Sequence, residues 1–332
     1  MHPLIDLSKW QGVPDFNVMR SHGVEAVIIR AGNGLAYDPT YNRNCDAART
    51  AGLLIGAYWF CNPKVSTGKT QGVALADASN RHECDLPAML DVEKYTNEPG
   101  PASAAIYGSK YAKWLHEMEF AITDDTGREP LMYTNRAYWD GPIDGKPGNP
   151  PHLGDQTFGH LDLICARYPF YSPAQCAAHP VPADAQTWDE WIMAETTARP
   201  QVPRGWDDWD AWQFSAGFNG MGPTYGCQSA DLDLNIVRDD AWLRWASKPQ
   251  PSTPGRFTML ANNAETTIAN NEHGVPQSYP PHAVKWAILF DPSKPAGLQF
   301  TKSHLGPAVY ADVQGLPEGA LSNAQLVAMP DA

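Results

Sequence analysis

The segment Ala88-Met89-Leu90-Asp91-Val92-Glu93 is a short apolar run that ends in two carboxylates. The run is continuously apolar rather than alternating, which is typical of a strand covered on both faces, as in a parallel sheet flanked by helices. Comparable runs, rich in β-branched and aromatic residues, recur through the first 248 residues. They are Leu4–Leu7, Ala26–Arg30, Leu53–Phe60, Leu131–Thr134, Leu161–Ala166, Ala211–Phe214 and Leu232–Ile236.

Segments with helical character lie between several of these runs. They are Tyr41–Ala51, Gly68–Arg81, Ala102–Phe120 and Ala185–Glu195. An order of strand, helix, strand, helix predicts a parallel sheet, and eight strands within roughly 250 residues fit a (β/α) barrel. The connections over 137–160 and 169–206 are long and rich in Pro, Gly and Asp. The sequence therefore predicts an α/β fold, an irregular barrel of eight mostly parallel strands.

Prolines at short intervals mark residues 249–255, whose sequence is PQPSTPG. That spacing favours an extended, semi-rigid linker. We therefore expect a barrel over 1–248 and a small C-terminal module over 256–332. The module is predicted to be β-rich, with a short helix at its end. Its predicted segments are Phe257–Leu260, Val284–Phe290, Gly297–Phe300, Ala308–Val313 and the helix Ser322–Val327.

Composition argues against several classes of partner. The chain has 24 Lys and Arg against 37 Asp and Glu, a net charge of −13, which disfavours binding to nucleic acid or anionic lipid. No run approaches the roughly 20 apolar residues of a membrane span. The N-terminal segment Met1–Ser8 lacks the features of a cleavable secretion signal. The six cysteines lack Cys-x-x-Cys spacing, so we expect reduced, mostly buried thiols, with Cys165 and Cys176 as the pair most able to bridge a loop.

Carboxylates are expected to gather at one end of the barrel. In a parallel barrel the functional residues lie at the carboxyl ends of the strands. Asp6 ends the first run, Asp91 and Glu93 end the fourth, and Asp233 lies in the eighth. Alternate residues of a strand point to the same face, so Asp91 and Glu93 should face the cavity together while Val92 packs outward.

Crowded carboxylates in a partly desolvated cleft suit acid–base chemistry. Crowding and burial raise the pKa of at least one carboxyl, which then donates a proton near neutral pH. Cleavage of a glycosidic bond needs such an acid and a second carboxylate. A structural ion network and a divalent metal site are the alternatives. Because neither an EF-hand spacing nor clustered histidines accompany the four acids, we predict no metal and no cofactor.

Eight segments distributed over the predicted strands form a distinctive set. In chain order they are Ile5–Gly12, Val27–Gly32, Gly56–Phe60, Leu90–Glu93, Leu131–Asn135, Ala166–Tyr168, Trp212–Phe214 and Asp233–Asn235. Together they resemble the signature segments of glycoside hydrolase family 25, over residues 3–240 but not over 249–332. Members of this family are lysozymes of the Chalaropsis type. They cleave the β-1,4 bond between N-acetylmuramic acid and N-acetylglucosamine in peptidoglycan.

The resemblance implies a role for each of the four acids. Glu93 would donate the proton to the glycosidic oxygen and later act as base for water, kept protonated by burial and by Asp91. Asp91 would support the 2-acetamido group of the substrate in a substrate-assisted retaining mechanism, while Asp6 and Asp233 position the pair. Direct participation of a carboxylate and inversion through an activated water stay open, because rotamers change the carboxyl separation.

Aromatic side chains near the predicted strand ends are candidates for binding sugar rings, which offer an apolar face and a polar rim. The candidates are Tyr58, Tyr133, Tyr168 and Trp212. Packing in the core is the alternative for each of them. Arg30 is expected to hold a carboxylate at the barrel mouth rather than to touch the substrate.

The resemblance further implies a peptidoglycan hydrolase that acts on glycan strands. A family 25 domain joined to a small module looks like a bacteriophage endolysin or another cell-wall lytic protein, with 256–332 binding wall polymers or phage tail components. We expect it in the host cytoplasm and then at the cell wall after release by a holin, or in the virion. A non-catalytic wall-binding or tail protein with a lysozyme-like barrel is one alternative, and a chitin-type glycosidase is another.

Overall fold

The computed structural model describes residues 1–95, 97–142 and 152–247, together with five strands between 258 and 305. The chain divides into two compact units, Met1–Lys248 and Pro249–Ala332, which are described separately.

The strands described in the first unit form one sheet, which closes into a barrel. They are β1 (His2–Leu7), β2 (Ala26–Asn33), β3 (Ala36–Tyr37), β4 (Leu54–Phe60), β5 (Met89–Asp91), β6 (Leu131–Thr134), β7 (Leu163–Ala166), β8 (Ala211–Ser215) and β9 (Asp233–Val237). Strand β1 pairs with both β2 and β9, so eight strands close the ring, and β3 is an additional antiparallel strand on β2. The predicted eight-stranded barrel is confirmed, and the short β3 is the strand that the sequence did not predict.

Strand β9 runs against its neighbours. It is antiparallel to β1 and to β8, whereas the other neighbouring strands of the ring are parallel. Asp233 is the first residue of β9 and lies opposite Asp6 in the β1–β9 register. The reversal therefore brings the start of β9 to the end of the barrel where the parallel strands finish. A parallel β9 would have placed Asp233 at the opposite end.

Helices surround the barrel. They are α1 (Phe16–Ser21), α2 (Tyr41–Thr50), α3 (Gly68–Arg81), α4 (Ser109–Thr126), α5 (Arg136–Trp139), α6 (Pro173–Ala178), α7 (Trp188–Glu195) and α8 (Asp239–Ala246), with short 3-10 helices at Lys9–Gln11, Ala102–Ala104 and Ala185–Thr187. The helix predicted over Ala102–Phe120 is therefore two elements. Gly108 separates them with a φ of 55°, a left-handed conformation that glycine adopts without a steric cost.

The core has an outer layer between strands and helices and an inner layer within the barrel. Along β2, Val27 and Ile29 pack in the outer layer while Ile28 packs in the inner one. This alternation follows from the period of two along a strand. Full burial of a side chain of this size stabilises the fold by about 1.5–3 kcal/mol. The unbroken apolar runs of the sequence are thus explained by strands that bury both faces.

The end of the barrel opposite the cleft described below is filled by Trp245 from α8. Its side chain is buried and packs with inner-layer residues such as Leu4 and Val237. Its indole Nε1 donates a hydrogen bond to Asp162 Oδ2 over 2.7 Å, just before β7 begins. This end is therefore a packed base. All six cysteines carry free thiols, and those of Cys45, Cys61, Cys165 and Cys227 are buried.

The second unit contains two small antiparallel sheets. Its strands are β10 (Thr258–Asn262), β11 (Thr267–Ile268), β12 (Gln277–Ser278), β13 (Lys285–Phe290) and β14 (Phe300–Leu305). One sheet has the order β10-β13-β14, and the other pairs β11 with β12. The predicted strand Ala308–Val313 and helix Ser322–Val327 lie outside the described residues. Among the described helices of the whole chain, none has the length and apolar character to cross a membrane.

Candidate active site

A cleft of about 220 Å³ opens at the end of the barrel where the parallel strands finish. Its lining includes all four acids named above. Asp6 comes from the end of β1, Asp91 is the last residue of β5, Glu93 follows two residues later, and Asp233 begins β9. The remaining lining residues are Tyr58, Met89, Tyr133, Tyr168 and Gln213. Four acids from three distant segments of the sequence thus share one pocket.

The segment after β5 keeps the alternation of a strand. Asp91 and Glu93 both line the cleft, whereas Val92 is fully buried in the outer layer. The backbone N–H of Val92 donates to the carbonyl of Tyr133 over 2.9 Å, and the carbonyl of Asp91 accepts from the N–H of Cys61 over 3.0 Å. These hydrogen bonds to both neighbouring strands extend the pairing beyond Asp91 and so orient Glu93 into the cleft.

Asp6 is held by two side-chain amides. Its Oδ2 accepts a hydrogen bond from Gln213 Nε2 over 2.8 Å and another from Asn235 Nδ2 over 2.9 Å. The pKa of Asp6 is raised, chiefly by burial, and these two hydrogen bonds and one with Asp233 only partly oppose the rise. Burial, with the charge of Asp6 and the hydrogen bond to it, holds the pKa of Asp233 well above its usual range. We therefore assign the shared proton to Asp233, which donates it to the Asp6 carboxylate.

Gln213 connects Asp6 to two tyrosines. Because its Nε2 donates to Asp6, its Oε1 must accept, and it does so from the hydroxyl of Tyr133 over 2.8 Å and from that of Tyr168. Gln213 was not among the site residues predicted from the sequence. The available signal was its polar side chain within the otherwise apolar run Ala211–Phe214, since a polar residue inside a buried strand requires a partner.

The carboxyl of Asp91 is the most isolated of the four. Its pKa is well above the usual range, chiefly because of burial and then because of the charges of Glu93 and Asp6. Its Oδ1 atom is buried and has no hydrogen-bond partner within the part of the chain that the structure describes. A buried carboxyl without a donor favours its protonated form.

Glu93 has a pKa of about 7, raised by burial and then by the charges of Asp6 and Glu98. The expectation that Asp91 keeps Glu93 protonated needs correction. The charges that raise the pKa of Glu93 are those of Asp6 and Glu98 rather than that of Asp91. Near neutral pH, Glu93 is thus partly protonated and able to donate.

Arg30 lowers the pKa of Asp91 through its charge but does not contact the cleft acids. In the described ranges, no Lys or Arg nitrogen lies within 4.0 Å of a carboxylate oxygen of the four acids. Arg30 does hold a carboxylate, but it is that of buried Asp38, which contacts the guanidinium through Nε at 3.0 Å and Nη2 at 2.9 Å. Among the residues that the structure describes, no three His, Cys, Asp or Glu side chains are arranged to hold a metal ion.

Three of the four aromatic candidates, Tyr58, Tyr133 and Tyr168, line the cleft. Trp212 does not. Its side chain is fully buried in the outer layer, where the indole Nε1 donates to the carbonyl of Arg167 over 2.7 Å. Strand β8 points Trp212 outward and Gln213 inward. The prediction that Trp212 contacts the sugar is therefore wrong.

Comparison with known proteins places these residues in a family. The family model described as Glycosyl hydrolases family 25 matches residues 5–147, which include Asp6, Asp91 and Glu93. Lysozyme M1 of Streptomyces globisporus is 26% identical over 266 residues, covering 78% of this chain and 71% of that protein. N,O-diacetylmuramidase of Chalaropsis sp is 30% identical over 145 residues, covering 40% of this chain and 66% of that protein.

Solved structures share the fold. The bacterial lysozyme from Streptomyces coelicolor superposes with a TM-score of 0.53 at 21% identity, covering 74% of this chain and 95% of that one. A family GH25 lysozyme from Aspergillus fumigatus gives a TM-score of 0.51 at 23% identity, covering 74% of this chain and 99% of that one. At this level of identity the similarity establishes the barrel fold.

Proposed function

The chain belongs to glycoside hydrolase family 25 and is a peptidoglycan hydrolase of the lysozyme type, and from this premise we propose that the acidic cleft performs the cleavage with Glu93 as proton donor. The bond cut is the β-1,4 bond between N-acetylmuramic acid and N-acetylglucosamine. One observation carries the proposal: Glu93 shares a pocket with Asp6, Asp91 and Asp233, no Lys or Arg lines it among the described residues, and the pKa of Glu93 is about 7.

Glu93 supplies the proton that the leaving sugar needs. A glycosidic oxygen leaves poorly as an alkoxide, so transfer of a proton to it lowers the barrier by roughly 3–5 kcal/mol, or 10²–10⁴-fold in rate. After the first sugar departs, the Glu93 carboxylate takes a proton from the incoming water. A pKa near the working pH suits both steps.

Asp91 is proposed to orient the 2-acetamido group of the substrate. Asp91 lines the cleft, where its carboxyl provides an acceptor for the acetamido N–H. That hydrogen bond turns the acetamido carbonyl oxygen toward the anomeric carbon, to which it bonds as the glycosidic bond breaks. The product then keeps the β configuration, whereas attack by an activated water gives the α configuration. Proton NMR of the first-formed anomer separates retention from inversion.

Asp6, Asp233 and Gln213 are proposed as positioning residues. The two amides oppose the rise that burial causes in the pKa of Asp6, and the charge of Asp6 raises the pKa of Glu93. Tyr133 and Tyr168 donate their hydroxyl protons to Gln213, so their oxygens present lone pairs toward sugar hydroxyls. Together with Tyr58 they form the proposed contacts to the sugar rings.

The product of digestion tests this function. Purified peptidoglycan is digested and borohydride-reduced, and the fragments are analysed by mass spectrometry, with Glu93→Gln as the matched control and chitin oligomers as a second substrate. We expect reduced muramic acid at the new ends, release that depends on Glu93, and little cleavage of chitin. Reduced N-acetylglucosamine at the new ends, or equal cleavage of chitin, would reassign the activity. No turnover by the wild-type protein would favour the wall-binding or tail-protein alternative.

The biological setting is a further part of the proposal. A barrel followed by a small module supports a phage endolysin or a virion-associated lysin, in which residues 256–332 bind wall polymers or tail components. Expression inside a sensitive host tests the first of these: we expect lysis when a holin is co-expressed and none without it. Lysis that is independent of a holin would count against release by that route.

A further inference from the structure

A second and larger groove of about 560 Å³ adjoins the cleft. Tyr168 lines both, so the two are adjacent at that side chain. The groove lies at the same end of the barrel, because it is built on residues that directly follow β6 and β7. These are Asn135 and Arg136 after β6 and Arg167 after β7, with Thr196 and Gln201 from the segment after α7.

Two arginines on this groove are not fully neutralised. Arg167 is exposed, and its guanidinium forms no ion pair or hydrogen bond within the described part of the chain. Arg136 is 56% exposed and contacts Asp140 only at 3.6 Å, while Asp140 pairs more closely with Arg204 at 2.9 Å. In a chain with a net charge of −13, positive charge is thus concentrated beside a cleft that contains four acids.

Other groups on the groove suit a peptide rather than a sugar ring. The Oδ1 of Asn135 accepts from the backbone N–H of Tyr138 over 2.9 Å, so its NH₂ group is left to donate to a carbonyl. Tyr171 is 68% exposed and provides an apolar surface. A ligand with carboxylates, carbonyls and an apolar part would satisfy all of these groups.

We propose that this groove binds the peptide that peptidoglycan carries on its muramic acid, with peptide carboxylates held by Arg136 and Arg167. The proposal rests on the proposed function, since that peptide is attached to the sugar bound in the cleft. The glycan itself is uncharged where the peptide is attached, so the carboxylates of the peptide are the groups that require cations. A guanidinium matches a carboxylate with two parallel hydrogen bonds.

Equilibrium binding to the inactive Glu93→Gln protein separates this site from catalysis. The ligands are the peptidoglycan disaccharide carrying its peptide and the same disaccharide without it. We expect Arg167→Gln to weaken binding of the peptide-bearing ligand about tenfold, the cost of one charge-assisted pair, while binding of the peptide-free ligand stays the same. Arg136→Gln should give a smaller loss, and Arg167→Lys a partial one. Arg81→Gln, which removes an exposed charge outside both grooves, is the matched control and should change neither affinity.

Each outcome decides the question. If Arg167→Gln and Arg81→Gln weaken binding of the peptide-bearing ligand equally, Arg167 contributes only to the net charge of the protein. That result would overturn the proposal. Loss of affinity for both ligands would assign Arg167 to the sugar or its lactyl carboxylate and also overturn it. With Glu93 restored, the ratio of the KM values for peptide-bearing and peptide-free glycan should rise about tenfold in Arg167→Gln. Absence of turnover in the wild-type protein would refute the proposed function, while the binding comparison would still judge this site.

Discussion

The two ends of the barrel differ in whether their acidic residues are paired with cations. At the base, Arg244 from α8 contacts Asp162 at 3.0 Å and also pairs with Asp210, and Trp245 donates to the same Asp162. At the cleft, the acids have amides, hydroxyls or one another as neighbours, and no cation contacts them in the ranges that the structure describes. Asp162 and Asp210 lie just before β7 and β8 begin. The acids of the cleft lie at the opposite end of the barrel, where β1 and β5 end and where the reversed β9 begins.

The difference indicates what each end does. At the base, the charge of Arg244 opposes the rise that burial causes in the pKa of Asp210, and its ion pairs tie α8 to the start of two strands. At the cleft, burial and the negative charges of neighbouring acids raise the pKa values of Asp91, Glu93 and Asp233, which costs stability but supplies a proton near neutral pH. Barrels of this class place function at the end where the parallel strands finish and stability at the other.

The largest expected effect comes from Glu93→Gln. Loss of the proton donor should lower kcat/KM on peptidoglycan about 10³-fold, and the thermal midpoint should not fall, because an amide replaces a carboxyl that is costly to ionise. Release of reducing ends and a thermal melt check both parts. A variant that melts lower and keeps most of its activity would place Glu93 with the structural acids of the base.

At the base, Arg244→Met should destabilise the first unit by about 2 kcal/mol, because Asp162 and Asp210 lose their shared cation, an effect reduced by the partial exposure of Arg244. Urea unfolding followed by tryptophan fluorescence measures this, since every tryptophan except Trp286 lies in the first unit. Arg81→Met removes an exposed pair with Asp77 and should cost less than about 0.5 kcal/mol. The activity of folded Arg244→Met should match the wild type, and equal stability of the two variants would show that the base is not specially paired.

At the cleft, Asp233→Asn should stabilise the protein at pH 7 by about 1 kcal/mol, the opposite sign to Arg244→Met. The folded pKa of Asp233 is raised, so the native state keeps a proton that the unfolded state loses. The free energy of unfolding from this group therefore falls as the pH rises from about 3.9 toward the folded pKa. The amide that replaces the carboxyl of Asp233 can still donate to Asp6 but does not ionise. Unfolding curves at about pH 3.5 and pH 7 should show the gain only at pH 7, and a loss at pH 7 would contradict the comparison.

The smallest expected effect concerns the pH profile. Because Glu93 must be protonated to act as the acid, kcat/KM should fall as the pH rises through about 7. Glu98→Gln removes a charge that raises this pKa and should move the fall a few tenths of a pH unit lower, while Gln can still accept from Asn33 Nδ2 as Glu98 does at 2.6 Å. Glu190→Gln, exposed on α7, is the charge-matched control and should leave the profile in place. A profile with no fall between pH 6 and pH 8 would exclude Glu93 as the titrating acid.

Periodicity in the sequence was sufficient to predict the barrel. Continuous apolar runs predicted the eight strands, because burial on both faces leaves no alternation to obscure them. Strand direction was not available from the same signal: nothing in Leu232–Ile236 indicates that β9 is reversed. The rule that functional residues lie at the carboxyl ends of strands therefore predicted Asp233 correctly at the cleft, but for the wrong reason. Asp233 lies there because it is the first residue of a reversed strand.

Side-chain direction limited the prediction of the site. Asp91 and Glu93 follow from the period of two, since they bracket the apolar Val92. In β8 the same alternation points Gln213 into the cleft and Trp212 into the outer layer. The sequence alone does not show this, because an aromatic residue near a strand end is suited to either face of the strand. The choice depends on which neighbours fill each layer, and these come from distant parts of the chain.

The pKa of Glu93 tests the central claim most directly. Carbon-13 NMR of protein labelled at glutamate side-chain carboxyls follows each titration, and the resonance missing from Glu93→Gln identifies Glu93. We predict a midpoint near 7, because partly buried Glu93 lies beside Asp6 and Glu98, and no cation contacts it within the described residues. A midpoint near the ordinary glutamate value of about 4.3 would contradict it, since Glu93 would then have no proton to give at neutral pH.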